Sequence, residues 1–202
     1  MYTPNHFKEE DLESMLHLME QQPFATLITT PEGVPFVSHL PLMVERRGDK
    51  TVLIGHVAKA NEQWQHFEQC NQTLVIFHGP SVYISPSLYQ TPGVPTWNYA
   101  AVHVYGRPTL IADTARLQRV IEQLTSLHEQ QRATPWQPDY LPRLLDVIVG
   151  FEMEIERIEG KYKLSQNRPE VDRRNIIQAL SAAETDAARA VAALMQQGLD
   201  PA

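Results

Sequence analysis

Short runs of β-branched and aromatic residues, each closed by a turn signal, recur along this chain and constrain its fold more than any other feature. Residues 24–30 form one such run, Pro31, Glu32 and Gly33 supply a turn, and residues 34–44 return as extended apolar sequence, so a hairpin is expected. Residues 46–50 carry the next turn, ahead of a strand over 51–57. Residues 73–77 read as one continuous run, which predicts a strand buried on both faces. Residues 99–105 read as a strand that Gly106 and Pro108 end. Phe151, Met153 and Ile155 alternate with Glu152, Glu154 and Glu156, the pattern of a strand with one buried and one wet face. Pro80, Pro86, Pro92 and Pro95 predict an ordered irregular loop over 79–96 with at most a short strand, and loops of this kind often line sites.

Few helices interrupt this pattern. Leu12, Met15, Leu16 and Met19 recur at i, i+3, i+4 and i+7, and Pro23 forbids continuation. Asn61 can cap a helix running to about Gln69, with Trp64 and Phe67 on one face. Leu117, Val120, Ile121 and Leu124 make the clearest amphipathic helix. Pro169 suits the first turn of a helix carrying Ile176, Ile177 and Leu180, and Ser181 with Glu184 reads as a capping box opening a last helix that Gly198 ends. Strands with turn signals and so few helices favour an α+β fold built on a mixed antiparallel barrel over a doubly wound sheet. At 202 residues one domain spanning 1–202 is expected, with a barrel core to about residue 168 and a helical extension from about 169 to 198.

Composition narrows the function. Hydrophobic residues make up 43% and charged residues 20%, the balance of a globular chain, and a net charge of -7 supplies no global positive field for DNA phosphates. Cys70 is the only cysteine, which excludes an intrachain disulfide and a cysteine-based zinc site and fits a reducing, cytoplasmic setting. The first ten residues lack the basic head and apolar core of a secretion signal, and no apolar run approaches the roughly 20 residues of a membrane span, so export and a membrane anchor are not expected.

Neither Gly-rich phosphate cradle is present, so phosphate binding would use side chains and a helix start. Lys59 follows the strand 51–57 and precedes Asn61, where a cation and unpaired helix amides would converge on an anion; it also reads as an ordinary solvated loop lysine. The run 160–168 packs Lys161, Lys163 and Arg168 around Ser165, Gln166 and Asn167, a set suited to an anionic, oxygen-rich ligand or, alternatively, to surface ion pairs with the preceding glutamates. Trp97 reads as a ligand contact or as a core or interface aromatic, and Asn98 as a ligand contact or a turn residue. Ser38 and His39 are strand neighbours that point to opposite faces, so they form no catalytic triad, and the histidines lack metal-ligand spacing.

Several of these segments resemble the PaiB family, described as FMN-binding negative transcriptional regulators built on a flavin split barrel. The resemblance rests on Ser38-His39-Leu40-Pro41, on residues 55–61, on Gly79-Pro80 with Tyr83-Ile84-Ser85-Pro86-Ser87, on residues 94–99, on His103-Val104-Tyr105-Gly106, on Gly150-Phe151 and on residues 163–168. It implies an antiparallel, Greek-key split-barrel homodimer with FMN at the subunit interface. By that likeness Lys59 would contact the phosphate, with Asn61 at the same turn. His56 would lie beside the phosphate or ribityl chain, and the backbone at Ser38 and His39 would face the isoalloxazine edge. Trp97, Asn98, Lys163, Ser165, Gln166, Asn167 and Arg168 would complete the site from the partner subunit. It implies a regulatory protein, with a flavin-dependent oxidoreductase or flavin reductase as the alternative and haem binding as a third. Direct DNA binding is not expected from the residues.

Overall fold

The computed structural model describes residues 1–129, 132–136 and 145–199. In chain order the strands are β1 (Lys8–Glu9), β2 (Phe24–Thr29), β3 (Phe36–Pro41), β4 (Met43–Arg47), β5 (Lys50–Ala58), β6 (Thr73–Ile84), β7 (Thr96–Gly106), β8 (Pro108–Leu110), β9 (Ile148–Glu154) and β10 (Arg157–Lys163). The α-helices are α1 (Leu12–Gln21), α2 (Thr114–Glu129), α3 (Glu170–Ser181) and α4 (Asp186–Gln197). The result is an α+β fold with antiparallel sheets and few helices. It divides into two compact units, one of Met1–Leu18, His78–His103 and Glu159–Ala202, the other of Met19–Phe77 and Val104–Ile158.

In the second unit β2 and β3 form the expected hairpin, with Phe24 opposite Pro41 and Thr29 opposite Phe36. Glu32 and Gly33 turn it with φ of 53° and 81°, conformations for which glycine is the natural residue. A second sheet has the order β4-β5-β9-β8 and is antiparallel throughout. Its apolar residues Val52 and Ile54 pack with Val120 and Leu124 of α2, as the spacing of that helix requires. Phe67 and Phe151 meet with ring centroids 5.1 Å apart.

Three expectations in this unit are revised. Residues 73–77 alternate between buried and half-buried positions instead of being buried on both faces, because one side of the β3-β2-β6 ladder stays open. The segment after Asn61 is a 3-10 helix (Glu62–Phe67), and it buries Gln63, His66 and Phe67 while Trp64 stays half-exposed. Gln63, fully buried, donates its amide to the carbonyls of Leu27 and Phe36 and to Thr29, so hydrogen bonding to the hairpin decides which face turns inward. The turn at 46–50 is tighter than expected: β4 runs through Arg47, and the bend is confined to Gly48 and Asp49, with Gly48 at φ 62°.

In the first unit the strand order is β1-β10-β7-β6. Lys8 and Glu9 pair with Lys161 and Gly160, and the Tyr162 hydroxyl donates to the Ser14 carbonyl of α1. Two boundaries differ from the sequence reading. Strand β6 passes through Pro80 to Ile84, whereas a loop is expected from residue 79; its register with β2 ends at Ile76, so Pro80 takes no part in that ladder. The last helix is capped by Thr185, whose hydroxyl accepts from the Ala188 amide, while Ser181 ends α3 and so cannot open α4. Pro169 stands at the cap of α3, with Ile176, Ile177 and Leu180 buried as predicted. Gly198 ends α4.

An ion-pair lattice joins elements of the second unit. Arg47 binds Glu152 through two hydrogen bonds of 2.7 and 3.1 Å and also binds Glu45, and Arg116 from α2 reaches Glu45 at 3.0 Å. The Arg47 hydrogen bonds hold the Glu152 carboxyl below its ordinary value of 4.5 against the opposing effect of burial. A depressed carboxylate contributes stability that is present above its unfolded pKa and lost as pH falls through the folded value. Glu152→Gln is therefore expected to flatten the loss of stability between about pH 5 and pH 3. Urea unfolding at the two pH values checks this, and an unchanged acid-side slope would remove Glu152 from the account.

Candidate functional site

The first unit gathers five of the predicted residues around a small cavity of about 140 Å³. Lys163, the last residue of β10, donates to the Thr96 hydroxyl and, at 2.7 Å, to the Trp97 carbonyl of β7. Burial, reinforced by repulsion from Lys161, pushes its ammonium pKa down. The chain then turns at Ser165, a non-glycine residue with φ 63°. Gln166 fastens that turn: its side-chain oxygen accepts from the Leu164 amide and its nitrogen donates to the Tyr162 carbonyl. Ser165 and the fully buried Asn98 bond each other reciprocally at 2.9 and 3.1 Å, and Asn98 also donates to the Met195 sulfur of α4. Beyond the turn Arg168 donates to the Pro92 carbonyl at 3.0 Å and lies 4.1 Å over the Tyr89 ring.

The cavity lining joins Asn98, Lys163, Ser165, Asn167 and Arg168 with Phe7, Tyr89, Val94 and Thr96. Gln166 and Trp97 are outside it: Gln166 faces its own turn, and Trp97 is 55% exposed, edge-on to Tyr83 at 6.2 Å. Among the described residues neither Lys163 nor Arg168 makes the surface ion pair that the sequence leaves open; β7 and the 89–95 loop supply neutral acceptors instead.

Sequence reasoning missed Phe7, Tyr89, Val94 and Thr96, although the proline-punctuated segment 79–96 that carries three of them was the signal. It also missed Asp172 of α3, a fully buried carboxylate that accepts from the Gln90 amide at 2.7 Å and from the Thr91 hydroxyl at 2.5 Å. The Thr91 hydroxyl bond, followed by the two loop amides, holds its pKa down, so Asp172 fixes the loop as a carboxylate. At the tip Gly93 leaves room for the Arg168 guanidinium and the Tyr89 ring, which a Cβ there would displace.

The remaining predicted residues belong to the second unit. Lys59 is exposed just past β5, its amide donating to the Val147 carbonyl and its carbonyl accepting from the Trp64 indole. Asn61 spends both ends of its amide, accepting from the Gln63 amide at 3.0 Å and donating to the Ser38 hydroxyl at 2.8 Å. His39 is exposed and shares a 3.1 Å hydrogen bond with Thr26. His56 is half-buried; its Nδ1 is fully shielded without a partner, and burial lowers its pKa, which keeps the ring neutral near pH 7. A larger depression of about 330 Å³ in this unit is lined by Glu45, Arg47, Arg116 and Glu152, whose charges are mutually matched.

Comparison with known proteins places these features in a family. Residues 1–157 match the family model described as "Putative FMN-binding domain". The chain is 40% identical, over 98% of its own length and 98% of the other, to "Protease synthase and sporulation protein PAI 2" of Bacillus subtilis. Two solved structures share its fold at a TM-score of 0.58: the flavocytochrome Anf3 of Azotobacter vinelandii, 18% identical over 77% of this chain and 69% of that one, and the FAD and heme binding protein of Mycobacterium smegmatis, 16% identical over 77% and 73%. The antiparallel α+β architecture is thus that of the flavin split barrels. Among the described residues, no helix is long and apolar enough to cross a membrane.

The reciprocal pair at the heart of the first unit gives a direct test. Asn98→Ala strands the Ser165 hydroxyl in a buried setting and is expected to cost about 1 to 3 kcal/mol. Urea denaturation measures it, and an unchanged midpoint would show that the pair does not hold the turn.

Proposed function

This chain belongs to the PaiB family of FMN-binding domains, and on that premise we propose that it is a regulatory protein whose conformation or partner binding responds to FMN held near Lys59. The observation that carries the binding half is the state of two neighbouring side chains of the second unit. Lys59 is exposed on a backbone fixed from both sides, and His56 Nδ1 is shielded from water with nothing to bond. Buried polar atoms almost always have partners, so an orphan three residues before an exposed cation supports a ligand. Lys59 would take the phosphate. His56, kept neutral, would meet the phosphate or ribityl chain as donor or acceptor. The backbone at Ser38 and His39 would face the polar ring edge. Asn61 would act by shape, since its side chain already caps Gln63 and holds Ser38. The flavin would supply any redox chemistry.

The regulatory half is supported by the Bacillus relative, whose name refers to protease synthesis and sporulation and to no reaction. Regulation as a negative transcriptional regulator, without direct DNA contact, and a cytoplasmic location complete this reading. A flavin-dependent oxidoreductase is the second reading, favoured by the flavocytochrome that shares the fold. Sustained NADH or NADPH oxidation above the rate of free FMN would select it.

A second copy of the chain is proposed to cover the open face of the β3-β2-β6 ladder. Phe24, Ile28, Val37, Leu74 and Ile76 share that face by register, with Phe24 66% and Val37 47% exposed. Val37→Glu is expected to shift a dimer to monomer in sedimentation at micromolar concentration, and a wild-type monomer would refute the pairing.

The flavin assignment is tested by Lys59→Ala. Loss of a charge-assisted hydrogen bond, about 1.5 to 3 kcal/mol, corresponds to an FMN affinity lowered on the order of 10 to 150-fold. Riboflavin, which lacks the phosphate, should bind unchanged. Calorimetric titration with both ligands decides it, and equal losses or no loss would remove Lys59 from the phosphate site.

A further inference from the structure

On the premise that FMN binds at Lys59, we propose that Gln63 is a positioning residue of that site. With the Asn61–Ser38 bond beside it, Gln63 fastens the turn that carries Lys59 to the hairpin that carries Ser38 and His39. The phosphate end and the ring edge of one ligand are then met together, and FMN is selected over molecules that offer only one of the two ends. Gln63 is fully buried, so it acts through the groups it holds and not by touching the ligand.

Gln63 grips both strands of the hairpin. Its side-chain nitrogen donates to the Leu27 carbonyl of β2 and the Phe36 carbonyl of β3, each at 3.1 Å, and lies 3.2 Å from the Thr29 hydroxyl. Leu27 stands directly opposite Ser38 in the ladder and Thr29 opposite Phe36, so the grip spans the rungs around Ser38. Two further ties run beside it. Asn61 donates to the Ser38 hydroxyl at 2.8 Å, and His66 shares a 3.1 Å hydrogen bond with Thr29 while its ring meets Phe36 edge-on at 5.0 Å. The same segment holds Lys59. The Asn61 side chain accepts from the Gln63 amide, the Asn61 amide donates to the Ala58 carbonyl, and Trp64, next after Gln63, donates its indole N–H to the Lys59 carbonyl at 3.1 Å. A chain of hydrogen bonds and peptide bonds thus runs from the Ser38 rung to the Lys59 backbone.

The residue type points to direction more than to stability. Among the described residues Gln63 Oε1 is buried with no partner, a cost that a methionine of similar length would avoid while filling the same space. A buried amide that leaves one atom unsatisfied yet engages three acceptors on two strands contributes a defined orientation. Orientation matters for a ligand bound at both ends. Once the ring is docked, the phosphate meets Lys59 at an effective concentration set by how well the spacing between the two contacts is kept. A turn free to drift would lose much of that gain.

A double-mutant cycle tests this, with the full chain as wild type, Lys59→Ala, Gln63→Met and the double variant, each titrated calorimetrically with FMN and with riboflavin. Gln63→Met is expected to lower FMN affinity about fivefold or more and to leave riboflavin within about twofold, because the β2–β6 ladder keeps the hairpin in place. The Lys59→Ala loss, roughly 10 to 150-fold in wild type, is expected to shrink by the same factor in the Gln63→Met background. A residue that only stabilises the fold leaves the two losses additive. A Lys59→Ala loss of the same size in both backgrounds therefore overturns the proposal and leaves the flavin reading standing, as does an equal loss of FMN and riboflavin in Gln63→Met. No loss from Lys59→Ala in wild type brings down the flavin reading and this proposal with it. If Gln63→Met does not fold, Ser38→Ala decides through the same cycle, since it removes the Asn61 tie at a half-buried position outside the core.

Discussion

One buried hydrogen-bonded pair sets the geometry of the first unit. Asn98 and Ser165 have almost no access to water, and each supplies what the other lacks, an amide for a hydroxyl and a hydroxyl for a carbonyl oxygen. In a low-dielectric interior such a pair is worth most when complete and is costly when half made. It holds Ser165 at a positive φ that the residue would otherwise avoid, and so fixes where the chain leaves β10. Lys163 before the turn and Arg168 after it inherit their directions from that constraint. Met195 brings α4 into the same contact, so the terminal helices support the turn and not merely its periphery.

Two charge clusters, one in each unit, are built in opposite ways. Around Glu45, Arg47, Arg116 and Glu152 each charge answers another, which yields a lattice that stiffens the β4-β5-β9 sheet against α2 and carries no net demand for a ligand. Around Lys163 and Arg168 the acceptors are backbone carbonyls and a hydroxyl, which orient the cations without neutralising them. Arginine and lysine content alone would not separate these cases. The distinction lies in what each cation bonds.

Much of the architecture was legible because it follows from periodicity. The α1 and α2 stripes, the hairpin at Pro31 to Gly33 and the alternation of β9 each encode a local rule, and the structure obeys them. The misreadings share one cause, a tertiary contact that outweighs a local signal. Ser181-x-x-Glu184 satisfies the capping pattern, yet Ser181 is absorbed into α3 and Thr185 caps instead. Asn98, read as a ligand contact or a turn residue, is a buried strand residue, because its partner lies far along the chain at Ser165. Asp172 reads as an ordinary acidic residue in a first helical turn, and only the loop folded against it reveals its role. The candidate site was visible as two clusters of residue types, but nothing in the sequence indicated that the structure would assign them to different units.

The course of β6 through Pro80 bears on how the chain behaves at high concentration. Past Ile76 the strand has left its register with β2, and an extended segment with an open side is a template on which a second chain can add itself strand to strand. Pro80 has no amide hydrogen, so the segment offers one donor fewer to any such addition. A residue that breaks a strand rule thus weakens the segment as a template for edge-to-edge pairing.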